Sequence, residues 1–319
     1  MMESALAGLE ALPCPAIYIG EELWLNDEMK KLVSTKEAEE IFSEDAEPGR
    51  GIMLAGRSFA VMRSEKDEHL VILAEQLPPE ENQEKEALEM RLRNALACAM
   101  LAAQLLSREV KAERGKSYLA EIKKNMAQIE RACDNLRTAH LQEMDGTRLT
   151  DIKSLVKELF DRANYYLPEE KQINCRIEDG GTDIYCAPAL IENLLLNLTA
   201  ELLARGGRES RVSLTVAPGD HFTFTIRAAH LGSFRDELEA MLFEAAGAGT
   251  GFESARRIVA LHHGSMYVRK QDADGAVITV ALPYSSEICQ VYNAEERYRG
   301  YDYVRMMLSD ILQRDAFME

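Results

Sequence analysis

The spacing of apolar and polar residues changes character twice along the chain. Up to about residue 77, short apolar runs such as 16–19 and 23–25 alternate with polar turns, which predicts a small antiparallel sheet with a few short helices. From 80 to about 143 there is no proline, and apolar residues recur every three or four positions. This pattern predicts two long helices joined by a tight turn at 113–116. The stretch 145–284 alternates helical and strand patterns, which predicts an α+β sandwich with helices on one face of a sheet.

Local signals place individual elements within these stretches. Residues 59–62 and 70–74 predict a β-hairpin, and Thr150 is positioned to cap a helix that reaches Leu167. An amphipathic stretch at 303–312 in the tail predicts a helix that packs on the preceding domain. The remaining predicted elements are helices at 189–204 and up to about 263, and strands at 173–177, 212–216, 222–226, 266–269 and 277–282.

These patterns predict four consecutive parts. They are an N-terminal domain at 1–78, a helical hairpin at 79–145, an α/β domain at 146–284 and a C-terminal tail at 285–319. Two helices with apolar stripes cannot bury both faces alone. The hairpin is therefore expected to pair with a second copy, which gives a homodimer with a four-helix bundle.

Charge and composition narrow the possible partners. The net charge is −17 and the pI is about 4.9, so the surface repels nucleic-acid phosphate and anionic lipid. The longest apolar run, 95–106, is much shorter than the roughly 20 residues that cross a bilayer. The six cysteines are scattered without metal-ligand spacing, as is typical of reduced thiols. A cytoplasmic protein without nucleic-acid binding or membrane insertion is expected.

One segment carries a family resemblance. Residues 249–259 read Gly-Thr-Gly-Phe-Glu-Ser-Ala-Arg-Arg-Ile-Val, and His262-His263-Gly264 follows. This segment closely resembles the second glycine box of bacterial sensor histidine kinases, and 194–198 resembles the start of their asparagine box. The opening of the chain, at 12–16 and 25–26, resembles the start of a PAS domain. The resemblance implies a multidomain α+β fold, with a PAS-like sheet, a dimeric four-helix bundle and an ATPase domain of the histidine kinase type.

The resemblance also assigns candidate binding residues. Glycines at such a loop let backbone N–H groups approach phosphate oxygens at a helix N-terminus. Gly249, Thr250 and Gly251 are therefore candidates to bind ATP or ADP. In one register of the asparagine box, Asn197 and Glu201 supply oxygen ligands for Mg²⁺. In the other register, Asn193 and Asn197 supply both amides, one helical turn apart. An ordinary core helix is the alternative to any metal site.

Three of the family's motifs are altered. The phosphoacceptor histidine falls on Met90 and the adjacent acid on Arg91, so no catalytic residue is predicted. In the first glycine box, Ala228 stands at the adenine-reading aspartate and His230 at a glycine, while Gly232 is retained. In the second box, Glu253 replaces a glycine, which brings a carboxylate near the expected triphosphate. Loss of all three features argues against an active kinase.

Two functions remain open from the sequence. The first is a catalytically degenerate, dimeric scaffold or regulator in a two-component-type pathway, with a response regulator or another kinase as its partner. The second is a nucleotide-dependent switch or enzyme that retains Mg-ATP or Mg-ADP binding. A phosphotransferase or anti-sigma-type relative of the same fold is a third reading.

Overall fold

The computed structural model describes residues 14–20, 23–42, 51–63, 69–75, 83–144, 146–181, 183–207, 209–243, 250–271, 274–284 and 302–318. The helices are α1 (Asp27–Lys30), α2 (Thr35–Phe42), α3 (Gln83–Glu109), α4 (Glu113–Ala139), α5 (Ile152–Tyr166), α6 (Pro188–Arg205), α7 (Phe234–Phe243), α8 (Thr250–Leu261) and α9 (Tyr303–Met307). The strands are β1 (Ala16–Ile19), β2 (Leu23–Leu25), β3 (Gly51–Leu54), β4 (Arg57–Arg63), β5 (Leu70–Glu75), β6 (Arg148–Asp151), β7 (Asn174–Ile177), β8 (Asp183–Cys186), β9 (Arg211–Ala217), β10 (Phe222–Ala229), β11 (Ser265–Gln271) and β12 (Gly275–Leu282). Short 3₁₀ turns lie at Glu169–Lys171 and Arg314–Phe317.

One ten-stranded sheet joins the N-terminal part to the α/β part. Its strand order is β2-β1-β5-β4-β3-β11-β12-β10-β9-β7, and β7 pairs with β9 in parallel. The predicted hairpin is confirmed, because β4 pairs with β5 in antiparallel register. A separate pair, β6 and β8, was not predicted. Each of these two strands has only four residues, which is too short for a clear alternating pattern.

The N-terminal sheet meets the α/β part through β3 and β11. Met53 pairs with Met266, and the Gly56 N–H donates to the Gly264 carbonyl at 2.6 Å. The two hydrophobic cores interlock at the same place. Met53 packs with the core of the α/β part, whereas Tyr267 packs with the N-terminal core. The two parts are therefore joined by both backbone pairing and apolar packing.

Two local predictions were wrong. The turn between α3 and α4 lies at 110–112, so Gly115 falls in the first turn of α4 and not in the loop. Asp151, not Thr150, caps α5, because its carboxylate accepts the Lys153 N–H at 3.0 Å. Thr150 lies in β6 instead. A carboxylate at the N-cap also interacts favourably with the helix dipole.

The helical hairpin packs largely through one of its helices. A small cluster of Leu96, Ala103, Leu119 and Met126 joins α3 to α4. Further along, Ala120 and Ala127 of α4 belong to the core of the α/β part. Helix α4 therefore contacts α3 on one side and the α/β part on the other.

The tail is confirmed to pack on the α/β part, although its helix is shorter than predicted. Only Tyr303–Met307 is helical, and turns follow to residue 311. Val304, Met307 and Leu308 are completely buried in the main core. None of the helices in the described ranges combines the length and apolar character that a bilayer crossing requires.

Candidate functional site

Helix α6 carries the predicted asparagine box. It begins with Pro188, which suits the first helical turn, and its backbone ends at Gly206. The helix is buried around most of its circumference. Asn193, Asn197 and Glu201 recur every four residues and therefore share one face. All three are buried, so each polar atom needs a partner inside the protein.

Helix α4 supplies partners for the two asparagines. The Asn197 amide donates to Asn135 Oδ1 at 2.7 Å and to Asn193 Oδ1 at 2.8 Å. In return, Asn197 Oδ1 accepts from the Asn135 amide at 3.0 Å. The Asn193 amide donates to Asp134 Oδ2 at 3.1 Å. The side-chain amides that the sequence assigned to Mg²⁺ are thus hydrogen-bonded to protein groups.

Arg131 of α4 is the cation at the centre of this face. Its guanidinium forms an ion pair with Glu201 Oε1 at 3.1 Å, and Arg205 Nε contacts Glu201 Oε2 at 2.8 Å. The other end of the guanidinium pairs with Asp310 of the tail. Arg131 is only 3% exposed, so its pair with Glu201 is buried, whereas the Asp310 side chain remains partly in water. Glu201 is therefore neutralised by two arginines.

The glycine box and the tail complete the cluster. A methyl group at Gly251 would lie 2.7 Å from Glu201 Oε1 and 3.1 Å from Asn197 Oδ1, so α8 begins directly against the asparagine face. Ser254 donates to Asn193 Oδ1 at 2.8 Å. Tyr303 accepts from the Asn193 amide at 3.0 Å. We call the group of Arg131, Asp134, Asn135, Asn193, Asn197, Glu201 and Ser254 the α4–α6 polar cluster.

The structure brings some predicted residues together and separates others. Asn193, Asn197, Glu201 and Gly251 lie in contact. Gly232 lies just after β10 with φ of +58°, and its carbonyl accepts from the Arg235 N–H, so its own bond is made outside the cluster.

Other predicted residues belong to other parts of the fold or fall outside the described residues. Gly249 and the Thr250 side chain lie outside them, as does the Met90 side chain, although Met90 itself lies in α3. Ala228 is buried in β10, and His230 has φ of +57°.

Sequence reasoning missed the partners from α4 and the tail. Arg131, Asp134, Asn135 and Thr138 are spaced as one helical face, and all four are buried. The spacing was visible in the sequence, but a polar face is ordinarily solvated. Nothing in the sequence of α4 therefore indicated that the polar face of α6 covers these residues.

The cluster has little capacity for a metal ion as it stands. Within the described ranges, no group of three or more His, Cys, Asp or Glu is arranged to hold a metal ion. The carboxylates of Asp134 and Glu201 are already paired with arginines. A divalent cation would have to displace these guanidinium groups. The Asn197 amide oxygen accepts from Asn135 of α4, whereas the Asn193 amide oxygen accepts from Asn197 and from Ser254 of α8.

His262 links the start of α6 to α8 through two hydrogen bonds. Its Nε2 accepts the Ala187 N–H at 3.2 Å, just before α6, and its Nδ1 faces the Ile258 carbonyl of α8 at 2.8 Å. Nδ1 must carry the proton for both bonds to form, so the ring is neutral. Burial lowers the pKa of His262 from its usual 6.5 to about 4.

This buried histidine predicts a pH-dependent stability. The unfolded chain takes up the proton at higher pH than the folded chain. The contribution of His262 is therefore complete above pH 6.5 and is lost as the pH falls towards 4. The full loss amounts to about 3 kcal/mol. Urea denaturation between pH 7.5 and 4.5 should show this slope in the wild type and a shallower slope in His262→Gln. The exposed His69→Gln is the control, and equal slopes in all three proteins would contradict the assignment.

Comparisons with solved structures give the fold. No protein-family model matches the chain, and no curated protein matches it. Full-length ShkA, solved in complex with AMPPNP, superimposes with a TM-score of 0.51 at 18% identity, over 64% of this chain and 46% of ShkA. The chain has the fold of a sensor histidine kinase. It spans about half the length of ShkA.

Two further histidine kinases are similar at lower TM-scores. Acinetobacter baumannii AdeS gives 0.43 at 16% identity, over 62% of this chain and 98% of AdeS. ThkA, solved in complex with the response regulator TrrA, gives 0.43 at 12% identity, over 88% of this chain and 98% of that chain. The conclusion on the fold therefore rests on ShkA. In this histidine kinase-type fold, the asparagine face of α6 contacts the start of α8 at Gly251, and both carry residues that were predicted to bind nucleotide.

Proposed function

We propose that this protein is a catalytically degenerate, histidine kinase-like signalling protein that acts as a dimeric scaffold or regulator in a two-component-type pathway. The observation that carries the proposal is the α4–α6 polar cluster. In a working nucleotide site, the asparagine face must be open to Mg²⁺ and triphosphate. Here Arg131 and Asn135 lie on that face and take up its polar atoms.

Electrostatics supports the same conclusion. Three carboxylates, those of Asp134, Glu201 and Asp310, lie in or beside the cluster, and each is paired with an arginine. A triphosphate entering here would meet these carboxylates and would compete for the same arginines. Glu253, at the start of α8, adds another negative charge nearby. Binding would therefore require both the movement of α4 and the exchange of the buried Arg131–Glu201 ion pair and its partly buried neighbours.

The residues of the hairpin support the scaffold part of the proposal. Met90 takes the phosphoacceptor position in α3, so a phosphoryl group has no nucleophile there. Large apolar side chains are exposed along both helices of the hairpin, including Leu92, Leu101, Leu105, Leu106, Tyr118, Ile122 and Ile129. Exposed apolar side chains on two adjacent helices suit packing against a second hairpin, and we propose a homodimer through them. A response regulator or a kinase is the proposed partner of the resulting bundle.

We propose the following division of the chain: a PAS-like part at 1–78, the dimerisation hairpin at 79–145, an ATPase-like part at 146–284 and the tail at 285–319. The N-terminal hydrophobic cluster, which consists of residues within 17–73 together with Tyr267, supports the first boundary. The pairing of β3 with β11 means that the PAS-like part would act on the ATPase-like part directly as well as through α3. The acidic surface supports partners other than nucleic acid or membrane.

One observation favours the nucleotide-dependent switch. Gly251 remains directly against Asn197 and Glu201, so the glycine and asparagine boxes still meet as a binding site requires. ShkA, which has this fold, was solved with AMPPNP bound. A switch would bind Mg-ATP or Mg-ADP through Asn197 or Asn193, Glu201, Gly249, Thr250, Gly251 and Gly232 after α4 leaves. Part of the free energy of nucleotide binding would then offset the free energy needed to displace α4 from α6.

Two measurements on the purified chain separate these functions. With γ-labelled ATP and Mg²⁺, we expect no incorporation of phosphate, because the nucleophile and the open nucleotide face are both missing. In titration calorimetry with ATP and ADP, with and without Mg²⁺, we expect no saturable heat up to millimolar nucleotide. Stable labelling of the protein would overturn the proposal.

Calorimetry carries its own control. If Mg-dependent binding is seen without labelling, the switch is the better description. In that case Asn197→Ala should abolish the heat. Tyr165→Ala, at a highly exposed position on α5, should leave it unchanged. Loss of binding in both variants would instead indicate general damage to the fold.

A further inference from the structure

The C-terminal segment 302–318 crosses the open side of the α4–α6 polar cluster. Asp302 caps α9 and contacts α5 through Arg162 at 2.8 Å and the Tyr166 hydroxyl at 3.0 Å. The next residue, Tyr303, reaches Asn193 of α6. Asp310 then reaches α4, where it pairs with Arg131 and accepts from the Gln128 amide at 2.9 Å. The segment thus contacts three helices in succession.

Apolar packing anchors the same segment. Val304, Met306, Met307, Leu308 and Leu312 are buried in the main core. Near its end, Phe317 is buried too, and the Arg305 guanidinium lies 5.7 Å from the centre of its ring. Because these side chains are closely packed in the core, they fix the position from which Asp310 contacts α4.

Helix α4 needs such a support beyond Ala127, where its inner face changes from apolar to polar. A face of Arg131, Asp134 and Asn135 gains little from burial as such, since each group first loses its water. The packing of this part of α4 on α6 therefore depends on its hydrogen bonds and ion pairs. Asp310 supplies the second counterion of Arg131, and Tyr303 adds a bond to Asn193. Without them, the balance shifts towards hydration of the same groups.

We propose that residues 302–318 form a C-terminal strap that holds α4 on the asparagine face of α6, and that release of the strap uncovers Asn193 and Asn197. The strap is an autoinhibitory contact within the chain. This inference rests on the proposed function only in treating the asparagine face as the remnant of a nucleotide site. Whatever releases the strap would uncover that face and free α4 of the hairpin at the same time.

Hydrogen exchange followed by mass spectrometry tests the strap in the 319-residue chain. In Asp310→Ala, we expect amides in 127–139 of α4 and in 190–201 of α6 to exchange on the order of tenfold faster than in the wild type. Exchange in β12 should be unchanged, because that strand lies inside the main sheet. Tyr303→Phe removes one hydroxyl and should speed exchange in 190–201 to a smaller extent.

A matched control lies in the same segment. Asp315 is 71% exposed and pairs only loosely with Arg314, at 3.8 Å. Asp315→Ala removes the same charge from the tail and should leave every peptide as in the wild type. Unchanged exchange in Asp310→Ala would overturn the strap, and so would a uniform rise that includes β12, since that would mean global unfolding.

The failure of the strap and the failure of the proposed function have different readouts. Phosphate labelling of the wild type would refute degeneracy and leave the exchange pattern untouched. Unchanged exchange in both strap variants would refute the strap and leave the labelling result untouched.

Discussion

Replacing Arg131 with methionine is expected to lower the free energy of unfolding by about 3 kcal/mol. Methionine keeps most of the length and apolar volume of the side chain but removes its charge. Glu201 then keeps only Arg205, and Asp310 loses its buried partner. Removal of one member of a buried ion pair costs about 3–5 kcal/mol, because the remaining charge stays desolvated. We place the expected cost near the lower end, since the Asp310 side chain is 41% exposed.

The control for this experiment lies on the same helix. Lys116 pairs with Glu113 at the solvent-exposed start of α4, where both side chains are largely in water. Lys116→Met should cost less than about 0.5 kcal/mol. Urea denaturation followed by far-ultraviolet circular dichroism compares the two variants with the wild type. If Arg131→Met lowers the free energy of unfolding no more than Lys116→Met does, the ion pairs of Arg131 do not hold α4 in place.

Replacing Gly56 with alanine is expected to have a comparable effect, for a different reason. Gly56 lies in the turn between β3 and β4 with φ of +77°, where an alanine costs about 1 kcal/mol. Its methyl group would also lie 2.5 Å from the Ala260 carbonyl oxygen, at the end of α8. That atom is backbone and cannot rotate away. Overpacking of this kind adds about 1–3 kcal/mol, so we expect a total near 3 kcal/mol.

A second glycine separates the two contributions. Gly207 has nearly the same φ, +76°, but a methyl group there would contact nothing within 4 Å. Gly207→Ala should therefore cost only the backbone part, about 1 kcal/mol. Trp24, the single tryptophan, lies in β2 and reports unfolding of the N-terminal sheet by fluorescence. Equal losses of unfolding free energy in the two variants would mean that the β3–β4 turn does not pack tightly against the end of α8.

Much of the architecture could be predicted because local patterns determine it. The two hairpin helices, the helix of the asparagine box and the strands β9 to β12 all follow from periodicity and from turn residues. The four-residue strands β6 and β8 could not be predicted, since so short a run shows no period. The cap of α5 was placed one residue early because Thr150 and Asp151 are both good caps and only the tertiary position of β6 separates them.

The candidate site divides in the same way. Asn193, Asn197, Glu201 and Gly251 were found from motifs, because a motif records which residues share a helix face or a turn. Their burial could not be found, since it depends on which helix packs on that face. The amides and carboxylate read as ligands in the sequence are bound instead by Arg131, Asp134 and Asn135.

The amino-acid sequence alone predicts most of the helices and strands, the lack of a histidine in the first hairpin helix and the motif residues on α6 and α8. These are properties of residue type and local spacing. Long-range packing, by contrast, places α4 on the asparagine face, the tail across that face and the N-terminal sheet in line with the main sheet. Each of these contacts joins residues far apart in the chain, through polar groups whose pairing energy depends on geometry that no local pattern contains.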